Sequence, residues 1–220
     1  MCIRDSEYAT LVRDTLKMED MIRTHSAVMD KYDPEKKVPL VIDEWGVWLA
    51  KLPGSRDGFL HQQNSIRDAI IASINLNMFT RHADRVRMTA IAQMVNVLQA
   101  MILTDGPRMV LTPTYHLFRM YVPFQDATRV PIRFDAGSYR FGDVTLPRID
   151  AIAARDTGGK LWIAMTNVDP NKPARVEAQI DGVRASAASG TVLTADRVDA
   201  INSYDLSLIH ISEPTRPLYI

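Results

Sequence analysis

A single cysteine, Cys2, stands in 220 residues. No disulfide can form within one chain, and no thiolate cluster can hold a metal. Net charge is also lacking: 26 basic residues balance 26 acidic ones, so no overall field draws nucleic acid or an anionic membrane surface. Neither is expected as a partner. No apolar run approaches the ~20 residues needed to cross a bilayer, and the start has no signal-peptide pattern of basic, apolar and small residues. The expected location is the bacterial cytoplasm, with export left open. The five histidines, His25, His61, His82, His116 and His210, include no H-x-x-x-H pair, which removes the usual spacing for a metal site. Missing too are a Gly-x-Ser-x-Gly elbow and a glycine-rich phosphate loop, and with them the usual grounds for acyl transfer or nucleotide chemistry.

What is present is an ordinary globular composition, long enough to bury a core. Over 7–31, Tyr8, Leu11, Thr15, Met18, Ile22 and Met29 recur at helical spacing before the stop at Asp33-Pro34, which predicts one amphipathic helix. The run 38–43 follows and reads as a parallel strand buried on both faces, ending in Asp43-Glu44-Trp45. A second helix is predicted over 64–82 from the stripe Ile66, Ala69, Ile70, Ser73, Ile74 and Met78, with Asn64 placed to cap it. Another strand is expected over 86–91, and Thr112-Pro113 opens a helix to about Tyr121. Alternating helices and strands point to parallel βα units. Arg81, Arg85 and Arg87 read as a solvated helix end balanced by Asp84.

Farther along, the period changes to two, as in Val130-Ile132-Phe134, Leu161-Ile163-Met165 and Val176-Ala178-Ile180, with turn signals at 156–159 and 181–182. A second, antiparallel β domain of sandwich type is expected over 126–205. The end segments 1–6 and 206–220 continue neither pattern. They read as non-native read-through, with no defined packing expected.

Glu44 is the strongest candidate for chemistry, because a carboxylate at the C-terminal end of a buried parallel strand occupies the face where barrel enzymes place catalytic groups. A strand-end cap or an ion pair with arginine would explain it equally well from position alone. Trp45 and Trp48 tilt the balance towards sugar, whose apolar C–H faces stack on indole, although core burial is the commoner fate of tryptophan. Gln93 and Asn96, after the next strand, could bond sugar hydroxyls or simply cap a loop.

Six motifs then occur in order: Tyr32-Asp-Pro-Glu-Lys-Lys, Val41-Ile-Asp-Glu-Trp-Gly-Val-Trp48, Gln62-Gln-Asn-Ser-Ile-Arg-Asp-Ala69, Arg81-His-Ala-Asp-Arg-Val86, Ala92-Gln-Met-Val-Asn-Val97 and Leu111-Thr-Pro-Thr-Tyr-His116. The series resembles glycoside hydrolase family 51 α-L-arabinofuranosidases, densely over 7–121 and more loosely to about Tyr204. The resemblance implies the C-terminal part of a (β/α)8 TIM barrel over 7–125, followed by a jelly-roll-like antiparallel β-sandwich over 126–205. It also implies retaining release of terminal, non-reducing α-L-arabinofuranosyl groups from arabinan or arabinoxylan oligosaccharides, without a cofactor. Glu44 would be the nucleophile, and Trp48 and Gln93 would line the sugar site. The full-length parent would be a homo-oligomer. In the family the acid/base glutamate belongs to an Asn-Glu pair on an earlier barrel strand. That strand would precede this chain, so the 220 residues alone are expected to be inactive. Two alternatives stand beside this: a non-catalytic carbohydrate-binding module, and another retaining barrel glycosidase acting on xylosides or glucuronides.

Overall fold

The computed structural model describes residues 5–182, 187–207, 209–212 and 215–217. Of the two end segments, residues 1–4, 208, 213–214 and 218–220 lie outside these. The predicted first helix is two, α1 (Asp5–Thr15) and α2 (Lys17–Tyr32). At the break the Thr15 hydroxyl donates to Leu11 O at 2.9 Å, and the Leu16 N–H is shared between Val12 O and Arg13 O. A threonine bonding back onto its own helix competes with the regular ladder and bends it. α1 buries Tyr8, Ala9 and Val12, whereas α2 buries only Ile22.

Asp33 stops α2. Its N–H donates to Met29 O, and its carboxylate accepts the N–H groups of Lys37 (3.0 Å) and Val38 (2.8 Å). That turn delivers the chain to β1 (Leu40–Trp45), which pairs in parallel with β2 (Val86–Ile91). Arg85, expected in a solvated cluster, is instead 1% exposed. It ion-pairs with Asp30 and donates to Asp33 Oδ2 at 2.7 Å and to Val38 O at 2.9 Å. Five N–H donors in a rigid fork let one arginine tie a helix end to the strand that follows.

Between β1 and β2 runs α3 (Ile66–Arg81), making a strand–helix–strand unit. Its N-cap is Ser65 and not Asn64, whose side chain donates to Gln62 O. Ser65 and Asp68 form a reciprocal capping box, with the Ser65 N–H 2.6 Å from the Asp68 carboxylate. Arg67 lies against the same carboxylate at 2.9 Å, with both side chains buried. Burial pushes the Asp68 carboxyl up, while Arg67 and Ser65 pull it down. Removing one member of such a pair leaves the other's charge buried and uncompensated. Asp68→Ala should therefore cost roughly 3–5 kcal/mol of stability. A urea midpoint equal to that of the unaltered chain would show that Arg67 is satisfied elsewhere.

The hairpin β3 (Ile102–Asp105) and β4 (Arg108–Leu111) leads into α4 (Pro113–Tyr121). Thr112 is the N-cap as expected, although its hydroxyl donates to Ala100 O and not into the helix. The described residues thus contain the two expected parallel strands with their helices; they do not include a closed barrel.

The remainder is antiparallel. β8 (Ile149–Arg155) is flanked by β5 (Thr128–Val130) and β9 (Leu161–Asn167), and β6 (Ser138–Phe141) pairs with β7 (Val144–Pro147). β10 (Ala187–Ser189) pairs with β13 (Thr215–Pro217), and β11 (Val192–Thr194) with β12 (His210–Ser212). Two expectations fail here. The alternation 130–134 stops at Val130, because Pro131 has no N–H to give a ladder, and 176–180 pairs with no strand among the described residues. A period of two supplies a face but not a partner. The tail, expected to lack packing, also contributes: β12 and β13 are paired, and Ile209 is buried with Ile66 and Ala200.

α3 is the common wall, packing on α1, α4, β8 and β9. Where it meets the β layer, Tyr121 OH donates to Asn77 Oδ1 (2.6 Å), and Asn77 and Arg81 donate to the two Asp150 carboxylate oxygens at 2.9 and 2.7 Å. A polar network this well satisfied fixes one docking of the two layers.

Candidate active site

Regular alternation along β1 would turn Glu44 to the same side as Leu40 and Ile42. The register with β2 slips between Ile42 and Trp45: Ile42 faces Thr89 and Trp45 faces Ile91, so three steps oppose two. This bulge reverses the parity, leaving Asp43 and Glu44 exposed and Trp45 buried. An extra residue inserted at a strand end re-aims the side chains beyond it. Trp45 is the anchor. It is 5% exposed, stacks on Phe118 with ring centroids 6.0 Å apart, and meets Phe79 edge-on at 5.3 Å. The two tryptophans therefore divide the roles that the sequence left open, Trp45 in the core and Trp48 on the surface at 67% exposure.

Beyond the bulge the chain turns through Gly46, at φ 144°, into the extended strap 46–49. A side chain rarely adopts that φ. The strap and the bulge line a cavity of about 330 Å³ with Ala92 and Leu98, at the lower end of ligand-site volumes. Among the described residues lining it, Glu44 alone carries a carboxylate. A second cavity of about 390 Å³ lies across the strap, against Leu11, Met18, Met21 and Ile71. Its one carboxylate, Asp14, pairs with Lys17 at 2.8 Å. The first cavity therefore holds the more available acid group.

The loop after β2 comes to the same end of the sheet, because the Ala92 N–H donates to Trp45 O at 2.8 Å. Three of its residues other than glycine have left-handed backbone: Gln93 (φ 89°), Asn96 (φ 59°) and Leu98 (φ 49°). Such conformations cost free energy and persist where surrounding contacts impose them. Asn96 is imposed by its own amide, which donates to Thr104 Oγ1 (2.8 Å) and accepts the Thr104 N–H (2.7 Å). Of its two expected roles the structure favours the loop cap. Gln93 is exposed beside Ala92, outside the cavity lining.

Two residues had drawn no chemical notice in the sequence. Gln62 and Gln99 are 1% and 0% exposed, and both bond the strap. Their signal was available in part: Gln99 interrupts the apolar run Val97-Leu-Gln-Ala-Met101, and an amide in such a run needs buried partners. Of the histidines, His61 meets Asn96 O and His82 meets Glu19, each through one ring nitrogen. No group of three or more metal-ligating side chains occurs among the described residues, nor does any helix among them have the length and apolarity to cross a membrane.

Residues 43–210 match the α-L-arabinofuranosidase C-terminal domain family. An intracellular exo-α-L-arabinofuranosidase of Bacteroides ovatus is 41% identical over 203 residues, covering 92% of this chain and 39% of that protein. The crystal structure of the glycoside hydrolase family 51 arabinofuranosidase from Xanthomonas axonopodis pv. citri superposes with a TM-score of 0.94 at 48% identity, over 96% of this chain and 43% of that one. An α-L-arabinofuranosidase from Thermotoga maritima, solved with arabinose, shares the fold at 23% identity and a TM-score of 0.73, over 97% of this chain and 45% of that one. This chain thus spans about two fifths of the relatives it matches. It belongs to the glycoside hydrolase family 51 α-L-arabinofuranosidases and carries their C-terminal portion.

Proposed function

We propose that this chain supplies the nucleophile half of a retaining exo-α-L-arabinofuranosidase site, with Glu44 as the nucleophile. The observation that carries this is the bulge, which turns Glu44 into a small recess walled by Trp48 at the C-terminal end of a parallel strand. The Glu44 carboxylate attacks the anomeric carbon from the face opposite the leaving oxygen and forms a glycosyl ester, which water then opens from the face that the leaving oxygen has vacated, displacing the carboxylate. Two inversions give retention. The leaving oxygen needs a proton from a second carboxyl group about 5–5.5 Å from the nucleophile. That group is assigned to a part of the polypeptide outside these residues, in keeping with the recess having one carboxylate of its own. In the same proposal β1 and β2 are the last two strands of a (β/α)8 barrel, and the antiparallel layers form its sandwich partner. The substrates are terminal α-L-arabinofuranosyl groups on arabinan or arabinoxylan oligosaccharides. The enzyme works inside the cell, as the name of the Bacteroides ovatus relative says of that protein, and a homo-oligomeric state is part of the same proposal.

The deciding experiment follows hydrolysis of an aryl α-L-arabinofuranoside by the full-length polypeptide with proton NMR. The first-formed arabinose should be the α anomer. Release of the β anomer would rule out a covalent ester on Glu44, and no hydrolysis of this glycoside beside rapid hydrolysis of an aryl xyloside or glucuronide would move the substrate class.

Trp48 and Gln93 are proposed to contact the sugar, one through its exposed indole face and the other through its amide. Trp48→Ala should raise KM, since an apolar contact of that size is worth roughly 1.5–3 kcal/mol. Gln93→Ala should lower kcat/KM by on the order of 1–3 kcal/mol, the penalty for sugar hydroxyls left unpaired once the bound substrate covers the amide. Unaltered kinetics in Gln93→Ala would assign that residue to the loop alone.

A further inference from the structure

The strap 46–49 has no strand beside it among the described residues, yet three of its backbone polar groups are satisfied by two buried side chains. The Val47 N–H donates to Gln99 Oε1 at 2.9 Å. The Leu49 N–H donates to Gln62 Oε1 at 2.8 Å, and Gln62 Nε2 donates back to Val47 O at 3.0 Å. Gln62 thus does for the strap what a neighbouring strand would do. The other end of Gln99 is tethered as well, donating to Asp68 O (2.7 Å) and to Thr114 Oγ1 (3.3 Å) in the first turns of α3 and α4. The two amides are brought together by the residues just before them, since His61 and Leu98 form a parallel bridge in which the Leu98 N–H donates to Leu60 O.

We propose that Gln62 and Gln99 are positioning residues, which hold the strap so that Trp48 stands over the recess beside Glu44. Neither touches substrate. This role rests on the assignment of Glu44 and Trp48 to the sugar site. Buried amides are costly unless every bond is made, so their only stable arrangement is the one that fixes the strap. Without them Val47 and Leu49 would seek water, and Trp48 would lose its fixed direction.

The test is a double-mutant cycle in the full-length polypeptide, with rates normalised to titrated active sites so that unfolded protein does not count. Gln99→Met and Gln62→Met remove the bonds at similar volume and are made separately, in case one of them fails to fold. Each should raise KM for the aryl arabinofuranoside by about tenfold, the equivalent of one lost hydrogen bond to a buried partner, with kcat nearly retained. In a Trp48→Ala background the same substitutions should change KM less than about twofold, because residues acting through one another are not additive. Equal effects in both backgrounds would reduce the glutamines to general stabilisers and overturn the proposal while leaving Glu44 in place. If Trp48→Ala alone leaves KM unchanged and Glu44→Gln remains active, the sugar site itself is misassigned and the proposal falls with it.

Discussion

Glu44→Ala in the full-length polypeptide should reduce turnover of an aryl α-L-arabinofuranoside by roughly 10⁴-fold or more, the scale seen when a covalent nucleophile is removed. The loss follows from geometry and not from folding. Glu44 is exposed at the end of β1, in a bulge whose core contacts are made by Trp45. Truncating it removes no buried contact and should leave the unfolding midpoint unchanged. The vacated space should admit a small anion. Added azide would then attack the anomeric carbon directly, restoring part of the rate and giving the β-configured glycosyl azide by a single inversion. Activity within a few-fold of the unaltered enzyme would remove Glu44 from the mechanism. A loss that azide does not relieve, joined to a lowered midpoint, would mark it as structural.

The second large effect concerns the 220 residues expressed by themselves: they should release no measurable p-nitrophenol from the aryl arabinofuranoside, and they should self-associate. Inactivity follows because retaining hydrolysis needs two carboxyl groups with different tasks, and the recess provides only Glu44. Association follows from the surface around it. Among the described residues neither strand of the sheet β1–β2 has a second partner, and Val41 and Met88 on it are 43% and 60% exposed. Unpaired strand edges beside exposed apolar side chains recruit other chains. Light scattering on the purified chain measures its size. A monomer that hydrolyses the substrate at ordinary enzyme rates would mean that Asp43 or Asp57 supplies the proton, and the two-part site would be wrong.

Much of the α/β half was legible because its signals are local. β2 runs over 86–91 as the sequence predicts, α4 begins after Thr112, and α3 lies within one or two residues of its predicted ends. Apolar spacing, a prolyl first turn and a cap residue act within a few positions, so the chain announces them. The β half was less legible because strands need distant partners: residues 176–180 alternate as well as β9 does, yet only β9 has β8 beside it. Arg85 failed for a related reason. Three arginines within seven residues look solvated until Asp30 and Asp33 fold over one of them.

The sequence by itself determined the family, the Asp-Glu-Trp strand end and the identity of Glu44 as the residue to question, since motif order and a strand's terminal carboxylate are properties of the linear chain. Only the tertiary structure decided which of two tryptophans faces outwards, that a bulge is what exposes Glu44, and that Asn96 spends its amide on Thr104. It alone set Gln62 and Gln99 beneath the strap, 37 residues apart in sequence and joined through the His61–Leu98 bridge. The physical reason is common to all of these. Burial and hydrogen-bond satisfaction depend on what the rest of the chain brings to a residue, and a side chain's type states only what it will require once it is there.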